Sequence, residues 1–411
     1  MKHLPSAFQI SVIVLAVASV FSFYAEASDA PVIIVEGEKS VFSISLEKEN
    51  TVTPDSTELL NGMAGASVVK NGPLTGFAQY RGMFGQRINT VIDGATHTSG
   101  GPNWMDAPLH YAPASQVSNI RIYRGVSPVS SGQETIGGSV IVETKSGEFV
   151  DSTEAILSGE ISVGGETNNN ATMVSVLVTV ANKNHWLNVK GLGEQADDIE
   201  FDGGEIMPTE YERNRIDMGY GFRFGAHKIE VVGGRNETGD AGAPALPMDI
   251  RFVDTDILKG KYTYQGDGFV VESLLFANDV EHLMSNHLLR EAPSNTMSYR
   301  TATATGESQG GKLVYRSEVG RSFEVGIDVL QSEHSTDVTN PNMPMFLVEN
   351  FSEAIRDSVG VYAESNFELS DMLSLEVGIR ANHIRMDSGE VSVSGTMEML
   401  RSIQNFLMKL I

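Results

Sequence analysis

The chain has no cysteine in 411 residues. That excludes disulfides, thiolate nucleophiles, iron–sulfur clusters and Cys-ligated zinc together. It also suits an oxidising compartment, where a stray thiol is a hazard. Positive charge is scarce: 29 Lys and Arg stand against 53 Asp and Glu, a net charge of −24. No nucleic-acid partner is expected, because phosphate contacts need clustered Lys and Arg. Past the N-terminus there is no apolar run long enough for a membrane-spanning helix. The H-E-x-x-H and G-x-S-x-G motifs are missing, so zinc-protease and lipase readings have no support. A phosphate-loop mimic, Gly306 to Lys312, is followed by Leu313 where Ser or Thr is needed, and it lies between strand patterns. What is plentiful is glycine, 41 residues, which suits turn-rich β structure better than a helical enzyme.

The N-terminus reads as a secretory signal peptide over residues 1–27. Lys2 and His3 precede an apolar stretch from Phe8 to Tyr24, which closes on Ala25-Glu26-Ala27. An uncleaved anchor is the alternative, but the run is short for a span of ~20 residues.

Two regions follow with different grammar. Residues 41–148 mix short strands with turns and one helical piece. Pro54 and Asp55 lead into a capped turn over Thr57 to Leu60 that stops at Gly62 or Gly65. Strand pieces cover Ser67–Val69, Phe77–Arg81, Ile88–Ile92, Ile120–Tyr123 and Val140–Glu143, which together predict a compact α+β domain. Residues 154–388 alternate with period two. Val174, Val176, Val178 and Val180 hold one face of such a run. About a dozen such segments, including a weak one near Tyr299, are separated by turn residues in the manner of a transmembrane β-barrel. Short turns alternate with long loops over 194–212, 236–254, 280–297 and 332–353, as expected for the two rims of a barrel. A soluble all-β sandwich is the alternative that periodicity leaves open.

The first region resembles the plug domain of TonB-dependent outer-membrane receptors. The resemblance rests on Leu59 to Val68, Gln79-Tyr80-Arg81-Gly82, Arg87 to Gly94, Ile120 to Gly125 and Ser131 to Val140, in that order, and it continues into the alternating region to about Asp387. It implies an α+β plug domain inside a mainly antiparallel transmembrane β-barrel, set in outer-membrane lipid. It also implies active uptake of a scarce ligand, energised by TonB and its inner-membrane complex, with no enzymatic activity. Residues 28–40 then hold a TonB box and linker, with Val32, Ile33, Ile34 and Val35 as the segment TonB would grip. An extended β-branched stretch can add to a partner's sheet edge; a first plug strand is the other reading. Arg81, Arg124 and Glu134 match charged plug positions of the family and are expected to pair with wall charges. A passive porin or an outer-membrane hydrolase barrel gives no reason for a plug.

A plugged transporter barrel has about 22 strands, more than residues 154–388 hold. Residues 389–411 show helical rather than alternating apolar spacing. They read as an aberrant tail after a partial barrel, so a truncated, non-functional receptor fragment is an alternative expectation. For the cargo, Gly100-Gly101-Pro102-Asn103-Trp104-Met105-Asp106 resembles the plug loop of the family's copper receptors. Met105 matches, while Gly101 stands where that loop has Cys. Met248 and Met284, the latter two residues from His282, fall in loop segments that resemble those of the same subgroup. The resemblance thus implies a transported metal ion or metal chelate, copper or a siderophore complex, with Met105, Met248 and Met284 as soft-metal ligands and no resident cofactor. Thioether sulfur prefers Cu(I), whereas carboxylates suit harder ions.

Overall fold

The computed structural model describes residues 41–45, 53–101, 104–123, 127–132, 135–317, 322–370 and 373–392. The first region holds two small sheets. Strands β1 (Val41–Ser45), β6 (Val117–Tyr123), β7 (Ser139–Thr144) and β5 (Asn89–Ile92) pair in that order, with β5 and β7 parallel. Strands β2 (Ala66–Lys70), β3 (Gly76–Tyr80) and β4 (Met83–Phe84) form the second. The helical piece is a 3-10 turn, Ser56–Gly62, capped by Asp55, whose carboxylate accepts from the Thr57 N–H at 2.9 Å. Leu60, Ile88, Ile92, Leu109, Val117, Ile120, Ile122, Val140 and Val142 make the core between these pieces.

The second region is one antiparallel sheet of eleven strands. These are β8 (Ile156–Glu166), β9 (Ala171–Ala181), β10 (His185–Ala196), β13 (Tyr211–Phe224), β14 (His227–Ala241), β15 (Asp249–Gln265), β16 (Phe269–Ser285), β17 (Thr301–Ser317), β18 (Phe323–Thr339), β19 (Leu347–Ser370) and β20 (Leu373–Asp387). A side hairpin of β11 (Ile199–Phe201) and β12 (Gly204–Ile206) stands between β10 and β13. Neighbours in sequence are neighbours in space throughout, and β8 and β20 are the two edges among the described residues.

The outer face explains the alternation. On β13, Arg213, Arg215 and Asp217 point inward and are buried, while Ile216, Met218, Tyr220 and Phe224 point outward and are exposed. From Ile216 to Phe224 that apolar row runs for about 26 Å at ~3.3 Å per residue, close to the apolar band of ~25 Å on outer-membrane barrels. Its lower edge is a girdle of touching rings beside the short turns. His185 stacks on Phe222, Phe222 on Phe224, Phe224 on His227; Tyr264, Phe269, Tyr315 and Phe323 continue the line, each with its ring centroid within 5.8 Å of the last. Aromatic residues take this place because one end of the ring is apolar and the other wet. The upper edge is charged. Level with Ile216 in the register lie Arg235, Asp256, Asp279 and Glu307 on successive strands.

Two expectations need correction. The segment near Tyr299 and the run over Lys312 are one strand, β17, so the sheet has eleven strands rather than a dozen. Gly306, Gly310 and Gly311 interrupt its pattern and hid the continuity; the phosphate-loop mimic is part of this strand. The long loops are also shorter than the sequence suggests, because β14 to β19 continue past the charged row. There the outward positions are polar, Glu237, Asp254, Glu281 and Thr305 lying level on successive strands, so the period-two signal disappears.

Candidate functional site

The plug packs against the inner face of the sheet through a small set of directed contacts. Asp93, in the tight turn after β5, accepts from the Thr144 N–H at 2.7 Å and pairs with Lys259 of β15. Arg213 donates to the main-chain oxygens of Pro54 (2.6 Å) and His110 (3.3 Å), and Arg215 to that of Tyr111 (2.9 Å). Asp217 holds Arg215 bidentately at 2.8 Å and Glu194 pairs with Arg213, so neither guanidinium is buried uncompensated. Lower down, the plug's Ser130 is held by Glu364 of β19 and Lys312 of β17.

The plug loop that carries Met105 is fixed most tightly. Asp106 is wholly buried. Its carboxylate accepts from the Gly100 N–H (2.6 Å), from the Tyr111 hydroxyl, and from Nδ1–H of His282 on β16 (3.2 Å). Burial works to raise the Asp106 pKa, but the His282 ring and these hydrogen bonds outweigh it and hold the carboxyl below its usual range. Tyr111 is pushed up by burial and then by Asp106, so it stays a donor. The loop can approach because Gly306 of β17 has no side chain: a Cβ there would lie 2.4 Å from the Ser99 oxygen.

Met284 is not in a loop, as its sequence context suggested, but on β16, two residues above His282 and on the same inward face. It is 5% exposed and belongs to the buried apolar cluster, against which Met105 and Met248 also pack. Met248 ends the loop before β15. Arg290 clamps that loop by gripping Asp249 at 2.6 Å through two nitrogens and donating to the Leu246 oxygen at 2.8 Å. Among the described residues no group of three His, Asp or Glu side chains is arranged to hold a metal. A soft-ion site here therefore depends on thioether sulfur.

His282 and Asp106 are what sequence reasoning underused. The signal was His282-Leu283-Met284, whose i, i+2 spacing puts both donors on one face of a strand. Nε2 of His282 is buried and has no partner, while Nδ1 is tied to a carboxylate. That is the arrangement in which a histidine is preset as a metal ligand. Arg81 lies in an exposed hairpin turn at φ 48°, its guanidinium over the Tyr80 ring at 5.4 Å, and makes no ion pair with the described residues of the wall. That contact falls to Asp93 and Lys259 instead. Val32, Ile33, Ile34, Val35, Arg124 and Glu134 lie outside the described residues.

Plug, inward-facing charged contacts and an outer apolar band define a plug-and-barrel protein. Residues 38–139 match the TonB-dependent Receptor Plug Domain family. The chain thus carries a TonB-dependent receptor plug, and the sheet after it has the fold of these receptors' walls. Among similar solved structures, the copper transporter OprC superposes with a TM-score of 0.76 at 19% identity, over 87% of this chain and 58% of that one. The ferric yersiniabactin uptake receptor FyuA from Yersinia pestis gives 0.64 at 13% identity, over 86% and 60%. The FrpB iron transporter from Neisseria meningitidis gives 0.64 at 14%, over 84% and 59%. The chain therefore spans less than two thirds of the length of each. A comparison with curated protein sequences gives no match.

Proposed function

We propose that the chain is the plug and adjoining wall of an outer-membrane receptor that takes up a scarce metal ion, with TonB supplying energy through Val32 to Val35 after removal of residues 1–27. The cargo is a soft metal, copper, and its donors are the thioethers of Met105, Met248 and Met284 together with Nε2 of His282. One observation carries this reading: His282 and Met284 face inward from one strand, and the plug that bears Met105 fixes the imidazole through Asp106. An imidazole would make up in part for the thiolate missing at Gly101, since both favour copper over hard ions. The similarity to the copper transporter OprC supports the same cargo.

The test is Cu(I) titration of the refolded full chain in detergent, beside a Met105→Leu, Met284→Leu double variant. Loss of affinity in the variant is expected. Equal affinity in both, or no binding by either, removes the thioether site and leaves a receptor for a metal chelate. That second reading has an observation of its own. A cavity of about 630 Å³ between the plug and β16–β20 is lined by Lys312, Arg356 and Arg380 together with Glu324 and Asp328, the latter held bidentately by Arg380, and would take a chelate with polar groups of both signs.

A further inference from the structure

We propose that the cavity between the plug and β16–β20 is the route by which cargo crosses the membrane, and that the plug's 3-10 turn Val129–Ser131 is the gate at its inner end. The inference rests on the reading of the chain as an uptake receptor and is the same for a metal ion or a chelate.

The cavity runs the full height of the apolar band. Through the register, the outward row from Ile216 to Phe224 on β13 corresponds to Glu333 down to Val325 on β18. On β18 the cavity is lined from His334 to Glu324, so it reaches one residue past the row at each end. Its upper end lies at the loop that carries Met105, where Ser99 and Trp104 line it. Along its length Ser332, Ser358, Asp328 and Lys312 offer hydrogen-bonding groups in place of a cargo's water. Against β13 the plug is sealed instead: Arg213, 1% exposed, donates straight into plug main-chain oxygens.

The turn lies at the other end, where Ser130, Ser131 and Gly132 line the cavity. All three polar groups of Ser130 end on charged side chains of the wall. Its N–H and hydroxyl donate to Glu364 of β19 at 3.1 and 2.7 Å, and its main-chain oxygen accepts from Lys312 of β17 at 2.6 Å. Arg380 of β20, itself gripping Asp328, donates to the Val129 oxygen at 3.3 Å. Glu364 pairs in register with Glu324, the lowest residue of β18 that lines the cavity. Three strands thus converge on one short turn. β20 makes room for it with Gly378, where a Cβ would lie 2.8 Å from Cγ2 of Val129. Glu364 and Lys312 are only partly buried, so water can take the place of Ser130 when the turn moves. The turn stands between β6 and β7 and belongs to neither, so moving it unpairs no strand.

The test locks and frees the turn in one protein. The chain has no cysteine. A Cβ at Gly378 would lie 3.5 Å from the Cβ of Val129, a spacing that a disulfide spans at ~3.5–4.5 Å. A full chain carrying Val129→Cys and Gly378→Cys should therefore form a disulfide on oxidation, seen by mass, that holds the turn. On reduction the two side chains crowd each other and free it. Hydrogen exchange in detergent should show the Ser130 and Ser131 amides about tenfold faster after reduction, with β6 and β7 unchanged. In planar lipid bilayers the same chain should pass a potassium chloride current when reduced and lose it when oxidised, while the wild type responds to neither reagent. Ser358→Trp, added at mid-cavity level with Leu330, should remove the reduction-dependent current. Failure of the disulfide to form, or exchange that ignores its redox state, would overturn the gate. So would a current, present or absent, that does not change on reduction. A reduction-dependent current untouched by Ser358→Trp would overturn the route. Neither measurement uses copper or TonB, so the proposed function is judged separately by Cu(I) titration and TonB capture.

Discussion

His282 of the wall and Asp106 of the plug are joined by a hydrogen bond of 3.2 Å, and the other ring nitrogen of His282 is left free. The bond crosses the boundary between the two regions, so the plug decides how the wall's imidazole is turned. Asp106→Asn keeps the shape but can present an amide N–H in place of the acceptor. Metal affinity should fall by about 10–100-fold, the range for lost orienting partners of ligand histidines. Competitive Cu(I) titration checks this; unchanged affinity would show that His282 is not a ligand.

The exit of the plug is held by shape. Gly147 lies against the indole of Trp186, and a Cβ at Gly147 would come within 2.4 Å of the ring. Trp186 is itself 2% exposed and sits over Gly219 and Gly221. Gly147→Val should cost about 1–3 kcal/mol by overpacking. A lower urea midpoint and altered tryptophan emission would show it; a midpoint equal to wild type would mean that the contact gives way freely.

Acid should loosen the plug. Burial, then Arg213, pushes His110 from 6.5 down to about 3, against the opposing pull of Asp106. Between those values the unfolded chain binds a proton that the folded chain does not, so stability falls as pH drops from 6.5 towards 3. The His110 contribution is complete above pH 6.5. In His110→Asn the slope of stability against pH should shrink by up to one proton across that window. Chemical unfolding at stepped pH measures the slope, and an unchanged slope would refute the assignment.

The outer band makes a positional prediction. Met218→Arg places a charge within the apolar row of β13 and should cost about 2–4 kcal/mol in a bilayer. Glu212→Arg, on the same face above the row, should cost far less. Equal effects on urea unfolding from lipid vesicles would argue against the placement of the membrane.

For TonB, Ile34→Pro removes a backbone donor from the strand that a partner sheet would pair with. Capture of the full chain by the periplasmic domain of TonB should be abolished, with Cu(I) binding unchanged. Undiminished capture would sink that assignment.

Much of the fold could be read from local pattern. The valines of β9 and the Ile216–Phe224 row of β13 announce their strands because their outward positions are apolar and largely exposed while the inward ones are buried. The Asp55 cap is legible because its backbone needs are local. Legibility stops where the outward residues become polar. Above Asp256 and Asp279 both faces carry polar residues, so sequence pattern reads these strands as loops and puts Met284 in one. The sequence by itself determined the plug, the period of the wall and the residue types able to hold a soft metal. Tertiary structure decided which of them meet. Asp106 and His282 are 176 residues apart. Their approach depends on sheet register and on Gly306 giving the plug room, and no local sequence pattern encodes either.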